Sequence, residues 1–201
     1  MINQGGEILP IYSKTMKIET IEIAGIAGAL TALRLPFGKE VRSKIRITRS
    51  WDRLNELSDI VSEENICIDQ KDLQLMTTLV KRGDEHAKVV RGIMVWARIK
   101  APVYFTRELE TYRAGRERLS SSSTMHQECQ GLSGEELQRV KAELPMGTEQ
   151  DFVDVYSYQT LRRIVAQRHN HRLPEWHTFI DWVRTLPFAE ELILVGLEME
   201  E

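Results

Sequence analysis

Hydrophobic and polar residues alternate at two periods along this chain, and each change of period marks an element. In "KIETIEIAG", Ile21 and Ile23 flank Glu22 at period two, while Ile18 falls out of phase with them. The β-branched Ile18, Thr20, Ile21 and Ile23 favour a strand. "GIAGALTALRLPFG" is Ala-rich and reads as a helix that Leu35-Pro36 stops. "SWDRLNELSDIV" spaces Trp51, Leu54, Leu57 and Ile60 on one helical face, with Ser50 as its N-cap. "KDLQLMTTLVKRG" reads as a helix capped by Asp72. Leu73, Met76, Leu79 and Val80 form its face, and Gly83 ends it. "DEHAKVVRG" reads as one more short helix. "GIMVWARIKAP" sets Ile93, Val95, Ala97 and Ile99 against Met94, Trp96, Arg98 and Lys100, which is a strand that Pro102 ends.

Beyond Pro102 the period becomes helical. Phe105, Leu109 and Tyr112 lie at i, i+4 and i+7, Pro102 suits the first helical position, and Gly115 can end the turn. Arg107, Glu110, Thr111 and Arg113 fall outside this apolar stripe, and the helix aims its C-terminal end at a Ser-rich loop. "LSGEELQRVKAEL" carries a capping box, Ser133 with Glu136, then Leu137, Val140 and Leu144. "FVDVYSYQTLRRIVAQR" places Leu161, Ile164, Val165 and Arg168 on adjoining helical positions. "LPEWHTFIDWVRTLP" starts with Pro174 and buries Trp176, Phe179, Ile180, Val183 and Leu186. "LILVG" is a short strand or a packed end. At least five helices and two strands make an α+β chain, with residues 1–15 a flexible lead-in and 16–201 a single domain.

Composition narrows the picture. A chain of 201 residues buries roughly 70% of its unfolded surface and needs no staples. The net charge of −3 disfavours generic coating of nucleic acid but leaves room for a local basic cleft. Cys67 and Cys129 form no CxxC or zinc spacing, so a reduced, cytoplasmic protein is expected. No stretch approaches the roughly 18 apolar residues that a membrane span needs.

The candidate chemistry lies in two Arg-rich stretches. "TRELETYRAGRERLSSSSTM" places Arg107, Arg113, Arg116 and Arg118 ahead of Ser120 to Ser123 and Thr124. Arginine forks and hydroxyls are the usual donors to phosphate. The same composition also suits a solvated loop, with Glu108, Glu110 and Glu117 neutralising the arginines in surface pairs. "RRIVAQRHNHR" groups Arg162, Arg163, Arg168 and Arg172 with His169 and His171. It reads as a helix end complemented by cations, as an anion site, or as part of a metal site lacking a third ligand at recognisable spacing. In "GDEH", Glu85 and His86 could serve acid-base work, although capping by Asp84 accounts for the stretch.

The order of these pieces resembles the flavin-dependent thymidylate synthase family. The strand into "KAPVYFTRELETYR" is similar to the family's strand, its Ala-Pro-aromatic run, and the Arg ahead of its Arg-His-Arg signature. The Ser-rich stretch stands in place of the following Asn-Glu-x-Ser-x-Arg segment. "LRRIVAQRHNHRLPEWHTFI" is similar to the family's Leu-Arg helix, its Arg, and its Ala-Gln-Glu-Ile helix.

The resemblance implies an α+β fold with a central, mainly antiparallel sheet packed with several helices, as in thymidylate synthase complementing proteins. It implies a homotetramer that binds FAD between subunits with dUMP beside it. NADPH and methylenetetrahydrofolate would be co-substrates for methylating dUMP to dTMP, with no cysteine nucleophile. By position, Arg107, Ser121, Ser122, Ser123 and Arg168 would hold the nucleotide. Tyr112, Arg113, Arg116, Arg163 and His171 would hold the flavin, and no metal is implied. The signature departs in places: Arg-His-Arg reads Thr111-Tyr112-Arg113, and no Asn-Glu precedes the serines. These departures keep a second function in view, a non-catalytic nucleotide-binding protein, sequestering or regulatory, on the same fold.

Overall fold

The structure, a computed structural model, describes residues 16–39, 44–45 and 66–198. The expected lead-in at 1–15 and the helix around Trp51 lie outside the described residues. The fold is α+β. Its main sheet is antiparallel, with strand order β1-β4-β6-β5. The strands are β1 (Lys17–Ala24), β4 (Met94–Pro102), β5 (Arg116–Ser121) and β6 (Glu149–Ser157). A two-residue ladder joins β2 (Lys44–Ile45) to β3 (Ile66–Cys67). The helices are α1 (Ile26–Arg34), α2 (Gln70–Lys81), α3 (Val103–Leu109), α4 (Gly134–Glu143), α5 (Tyr158–Arg168) and α6 (Pro174–Arg184).

The alternation in β4 is realised as drawn from the sequence. Val95, Ala97 and Ile99 are fully buried, while Arg98 and Lys100 are exposed. Cross-strand register places Tyr156, Asp154 and Phe152 of β6 opposite them, on the same face. Helix α6 covers this face: Phe179 and Trp182 pack on Tyr156 at 5.8 and 6.1 Å between ring centroids. Trp182 also donates its indole N–H to Thr20 Oγ1 at 2.9 Å.

The phase fault in "KIETIEIAG" has a structural cause. The β1–β4 register shifts between Thr20 and Glu22. One extra residue in a strand reverses the side-chain alternation beyond it. Ile18 and Ile23 therefore share the helix-covered face, opposite Ile99 and Val95, and Ile21 is left 45% exposed.

Several local expectations are corrected. Asp69, not Asp72, caps α2, accepting from the Lys71 N–H at 2.9 Å. Asp72 is fully buried and is held by the Arg34 guanidinium, so its carboxylate is taken up by a long-range ion pair. Ser133 stands at the N-cap of α4 without a side-chain capping bond, so the Ser133–Glu136 box does not close. Helix α4 buries no residue, and water can satisfy its first turn. "FVDV" belongs to strand β6 rather than to the helix after it. Of the two readings of "LILVG", the packed end holds: its Leu192, Ile193 and Leu194 are buried in a π-helical turn over Glu190–Leu194, anchored by Arg162 Nη1, which donates to the Ile193 and Val195 carbonyls at 2.7 Å each.

Candidate functional site: the two ends of helix α5

Strand β6 runs directly into α5. Ser157 caps the helix by accepting from the Thr160 N–H at 3.1 Å. The candidate side chains gather at the two ends of this helix.

At its C-terminal end stands Arg168. Its Nε donates to the Tyr112 hydroxyl at 2.8 Å, and Nη1 reaches Glu108 Oε2 at 3.5 Å. The guanidinium carbon lies 4.8 Å from the Trp176 ring centroid and 5.6 Å from that of Tyr112. A guanidinium packed against aromatic rings and bonded at two nitrogens is restricted in orientation, and the rings attract its charge. Glu108 organises the cluster. Its Oε2 accepts from the Trp176 indole at 2.9 Å and lies 3.7 Å from His171 Nε2. Tyr112 meets Trp176 edge-on at 5.9 Å. These bonds engage Nε and Nη1 of Arg168, and Nη2 makes no hydrogen bond among the described residues.

At the N-terminal end, α5 borders an open cavity of about 410 Å³ lined by Arg91, Gly115, Ser157, Gln159, Thr160 and Arg163 among others. Gly115 has φ +77°, and a Cβ there would stand 2.8 Å from Ser157 Oγ and closer still to Thr160 Oγ1. The Ala114–Gly115 turn is clamped to the helix. Ser157 N–H donates to the Gly115 carbonyl at 2.8 Å, and Thr160 Oγ1 to the Ala114 carbonyl at 2.7 Å. Arg91 Nε donates to Gln159 Oε1 at 2.5 Å. Asp84 takes Arg163 in two bonds to Oδ2, at 2.8 and 2.7 Å, so the expected capping role of Asp84 is replaced by an ion pair. Burial raises the Asp84 carboxyl, but hydrogen bonds from Arg163 and Gln159 outweigh it and hold its pKa below the ordinary 3.8.

The structure thus brings Tyr112, Arg168 and His171 together and sets Arg163 in the cavity. Helix α3 ends at Leu109, so Tyr112 and Arg113 lie in the turn beyond it rather than on its last turn. Arg107 and Arg113 are exposed, and neither has an ion-pair partner among the described residues. Arg116 has a structural place instead of a ligand-facing one. It is buried, its Nε and Nη2 donate to Asp154 at 2.7 and 2.5 Å, and Nη1 donates to the Leu109 carbonyl at 3.2 Å.

The first half of the expected Ser-rich loop is strand. Ser120 and Ser121 pair with Val153 and Phe152. Ser122 Oγ accepts from the Asp151 N–H at 3.0 Å, and Ser123 Oγ from the Met125 N–H at 3.2 Å. Ser120, Ser121 and Ser122 line a shallow hollow with Arg98 and Asp151.

Sequence reading missed Glu108, Trp176 and Arg91 as site residues. Glu108 lies four residues before Tyr112, the spacing of a shared helical face, and that was the available signal. Trp176 read as core, which it also is, at 0% exposure.

Comparison with known proteins places the fold. No family model matches the chain, and no curated protein matches it. Among solved structures, it is similar to Thymidylate Synthase X from Helicobacter pylori with FAD and dUMP. The match has a TM-score of 0.63 and 12% identity, over 92% of this chain and 100% of that one. It is also similar to a UMP/dUMP methylase from Streptomyces cacaoi bound with 5-Br dUMP, with a TM-score of 0.57 and 13% identity, over 92% of this chain and 94% of that one. The chain has the fold of the flavin-dependent thymidylate synthases. At this identity the likeness is one of fold.

Proposed function

We propose that this protein binds a pyrimidine nucleotide, with Arg168 as the anchor and FAD as the candidate cofactor. One observation carries the reading. In a fold whose solved neighbours hold dUMP, Arg168 packs beside the touching Tyr112 and Trp176 rings, and its Nη2 makes no hydrogen bond among the described residues. Arg113 and Arg107, exposed and without an ion-pair partner among the described residues, add positive charge nearby in sequence, and Tyr112 offers an aromatic face. Arg163 and Arg91, with the cavity between them, fit a phosphate-bearing cofactor. A cavity of this size in one chain encloses part of FAD, so the rest would lie against a second subunit, in keeping with a tetramer. His171, beside Glu108, flanks the same cluster. Flavin supplies hydride chemistry when bound. Methylation of dUMP to dTMP would also require NADPH and methylenetetrahydrofolate.

A second reading, a non-catalytic nucleotide binder, is favoured by one departure. The signature His is Tyr112, whose hydroxyl is committed to Arg168. Absorption spectra and thermal shifts with FAD and dUMP separate the two. A flavin spectrum with dUMP-dependent stabilisation supports the enzyme. A colourless protein stabilised by dUMP but not by FAD leaves the binder. Arg113→Ala with Arg168→Ala should abolish the stabilisation by dUMP, and a full response from this double variant would refute the site.

A further inference from the structure

One carboxylate at the far end of α5 serves three groups. Glu108 Oε2 accepts from the Trp176 indole at 2.9 Å, and stands 3.5 Å from Arg168 Nη1 and 3.7 Å from His171 Nε2. The indole bond has an ordinary hydrogen-bond length, whereas the other two contacts are long for one. Oε1 makes no hydrogen bond among the described residues. Glu108 therefore lies between a permanent cation and a histidine and is bound closely by neither.

The histidine is held in one tautomer. Leu173 N–H donates to His171 Nδ1 at 3.1 Å. That nitrogen keeps its lone pair, so the single proton of the neutral ring sits on Nε2, facing Glu108. A second proton has to enter at Nδ1. It breaks the Leu173 bond and sets a positive charge beside Glu108. Each element packed on the ring has its own charged groups. Glu108 faces it from α3, Arg168 reaches the same carboxylate from α5, and Trp176 of α6 meets the ring edge-on at 6.1 Å. The other titratable neighbours are engaged: His169 with the Val165 carbonyl, His177 Nε2 with the His171 carbonyl, and Glu175 with the Tyr104 hydroxyl. Arg172, next in the chain, is exposed.

The charges then add up differently in the two states. With His171 neutral, Glu108 cancels Arg168. With His171 protonated, the three groups together carry one positive charge. Arg168, His171 and Glu108 are 21%, 29% and 38% exposed, so solvent reaches all three. Histidine is the side chain whose charge ordinarily changes between about pH 5 and 8.

We propose that His171 is a proton-operated switch on the Arg168 cluster: taking up a proton, it draws on Glu108 and turns a neutral cluster into a cationic one, so that an anionic ligand binds more tightly at low pH. By linkage, the bound anion favours the proton in return. That the anion is a pyrimidine nucleotide rests on the function proposed above, and the switch itself does not.

The test uses the whole protein, calorimetric titration with dUMP, and the Trp176 indole N–H resonance as a direct reporter on Glu108. The phosphate of dUMP titrates in the same range for every variant, so the comparison between proteins carries the result. From about pH 8 to about pH 6 the dUMP affinity of the unaltered protein should rise about three- to tenfold relative to that of His171→Gln. Glu108→Gln removes the opposing charge. It should bind dUMP at about pH 8 at least as tightly as the unaltered protein does at about pH 6, with the pH response lost. In the ligand-free protein the indole resonance should titrate in step with the His171 ring and stand still in His171→Gln. The proposal is overturned if the unaltered protein and His171→Gln share one pH profile for dUMP, or if the indole resonance ignores the His171 titration. If dUMP binds at no pH while the indole follows His171, the nucleotide reading falls and the switch remains.

Discussion

Asp154→Ala should be the most damaging single substitution on the helix-covered face of the sheet. Asp154 is fully buried, yet it lies in register with Ala97 on an apolar face. Its carboxylate accepts from Arg116 Nε at 2.7 Å and Nη2 at 2.5 Å, Arg118 Nε at 2.9 Å and the Tyr156 hydroxyl at 2.9 Å. Burial, then the neighbouring Asp154 charge, holds the Tyr156 phenol well above its ordinary 10.0, so it remains a donor to this carboxylate. Alanine would leave the buried Arg116 guanidinium with the Leu109 carbonyl alone. Breaking a buried pair in this way costs about 3–5 kcal/mol. That is a large share of the roughly 5–15 kcal/mol that holds a domain folded, and it corresponds to a melting shift of about 6–20 °C at this size. Urea denaturation of Asp154→Ala, compared with the Arg116→Met/Asp154→Leu double variant, measures it. The double variant should recover much of the loss, because no charge is left unpaired. The site should respond too. Arg116 and Arg118 hold the end of α3 through Leu109 and Glu110, just ahead of Tyr112. A loss below about 1 kcal/mol, the range of an exposed pair, would refute the buried network.

Two further outcomes follow from backbone and titration. Gly25→Ala should destabilise by more than about 2 kcal/mol in the same denaturation assay, because φ is +94° and the new Cβ would lie 2.9 Å from the Gly92 carbonyl carbon and closer to its oxygen. The Tyr104 phenol is pushed up to about 12, by burial first and then by its hydrogen bond to Glu175. A folded pKa above the unfolded 10 binds the proton more tightly in the folded state. The stability from Tyr104 is therefore fully present below about pH 10 and is lost as pH rises towards 12. Tyrosinate absorbance should show a phenol titrating near 12, and its loss in Tyr104→Phe identifies the signal.

How much of this was readable beforehand depends on the range of the interaction. The period-two pattern of β4 and the apolar faces of α2, α5 and α6 are local facts, because a side chain's direction follows from its position in its own strand or helix. The sequence by itself therefore determined the α+β class, most helices and the central strand. It also placed Arg168 on a helix end near two histidines. Tertiary structure alone decided β6, where Phe152 and Tyr156 alternate with Val153 and Val155. With apolar residues on both faces the period is blurred, and pairing with β4 and β5 settles the strand. It also decided that Ser120 and Ser121 end β5 as strand, that the β1 bulge restores the phase of Ile18, and that Asp72 serves Arg34, 38 residues away, rather than its own helix. The site follows the same rule. Glu108 meets Trp176 across 68 positions and Arg168 across 60. No local pattern encodes which carboxylate will stand beside which cation, because that pairing is fixed only when the sheet brings α3, α5 and α6 together.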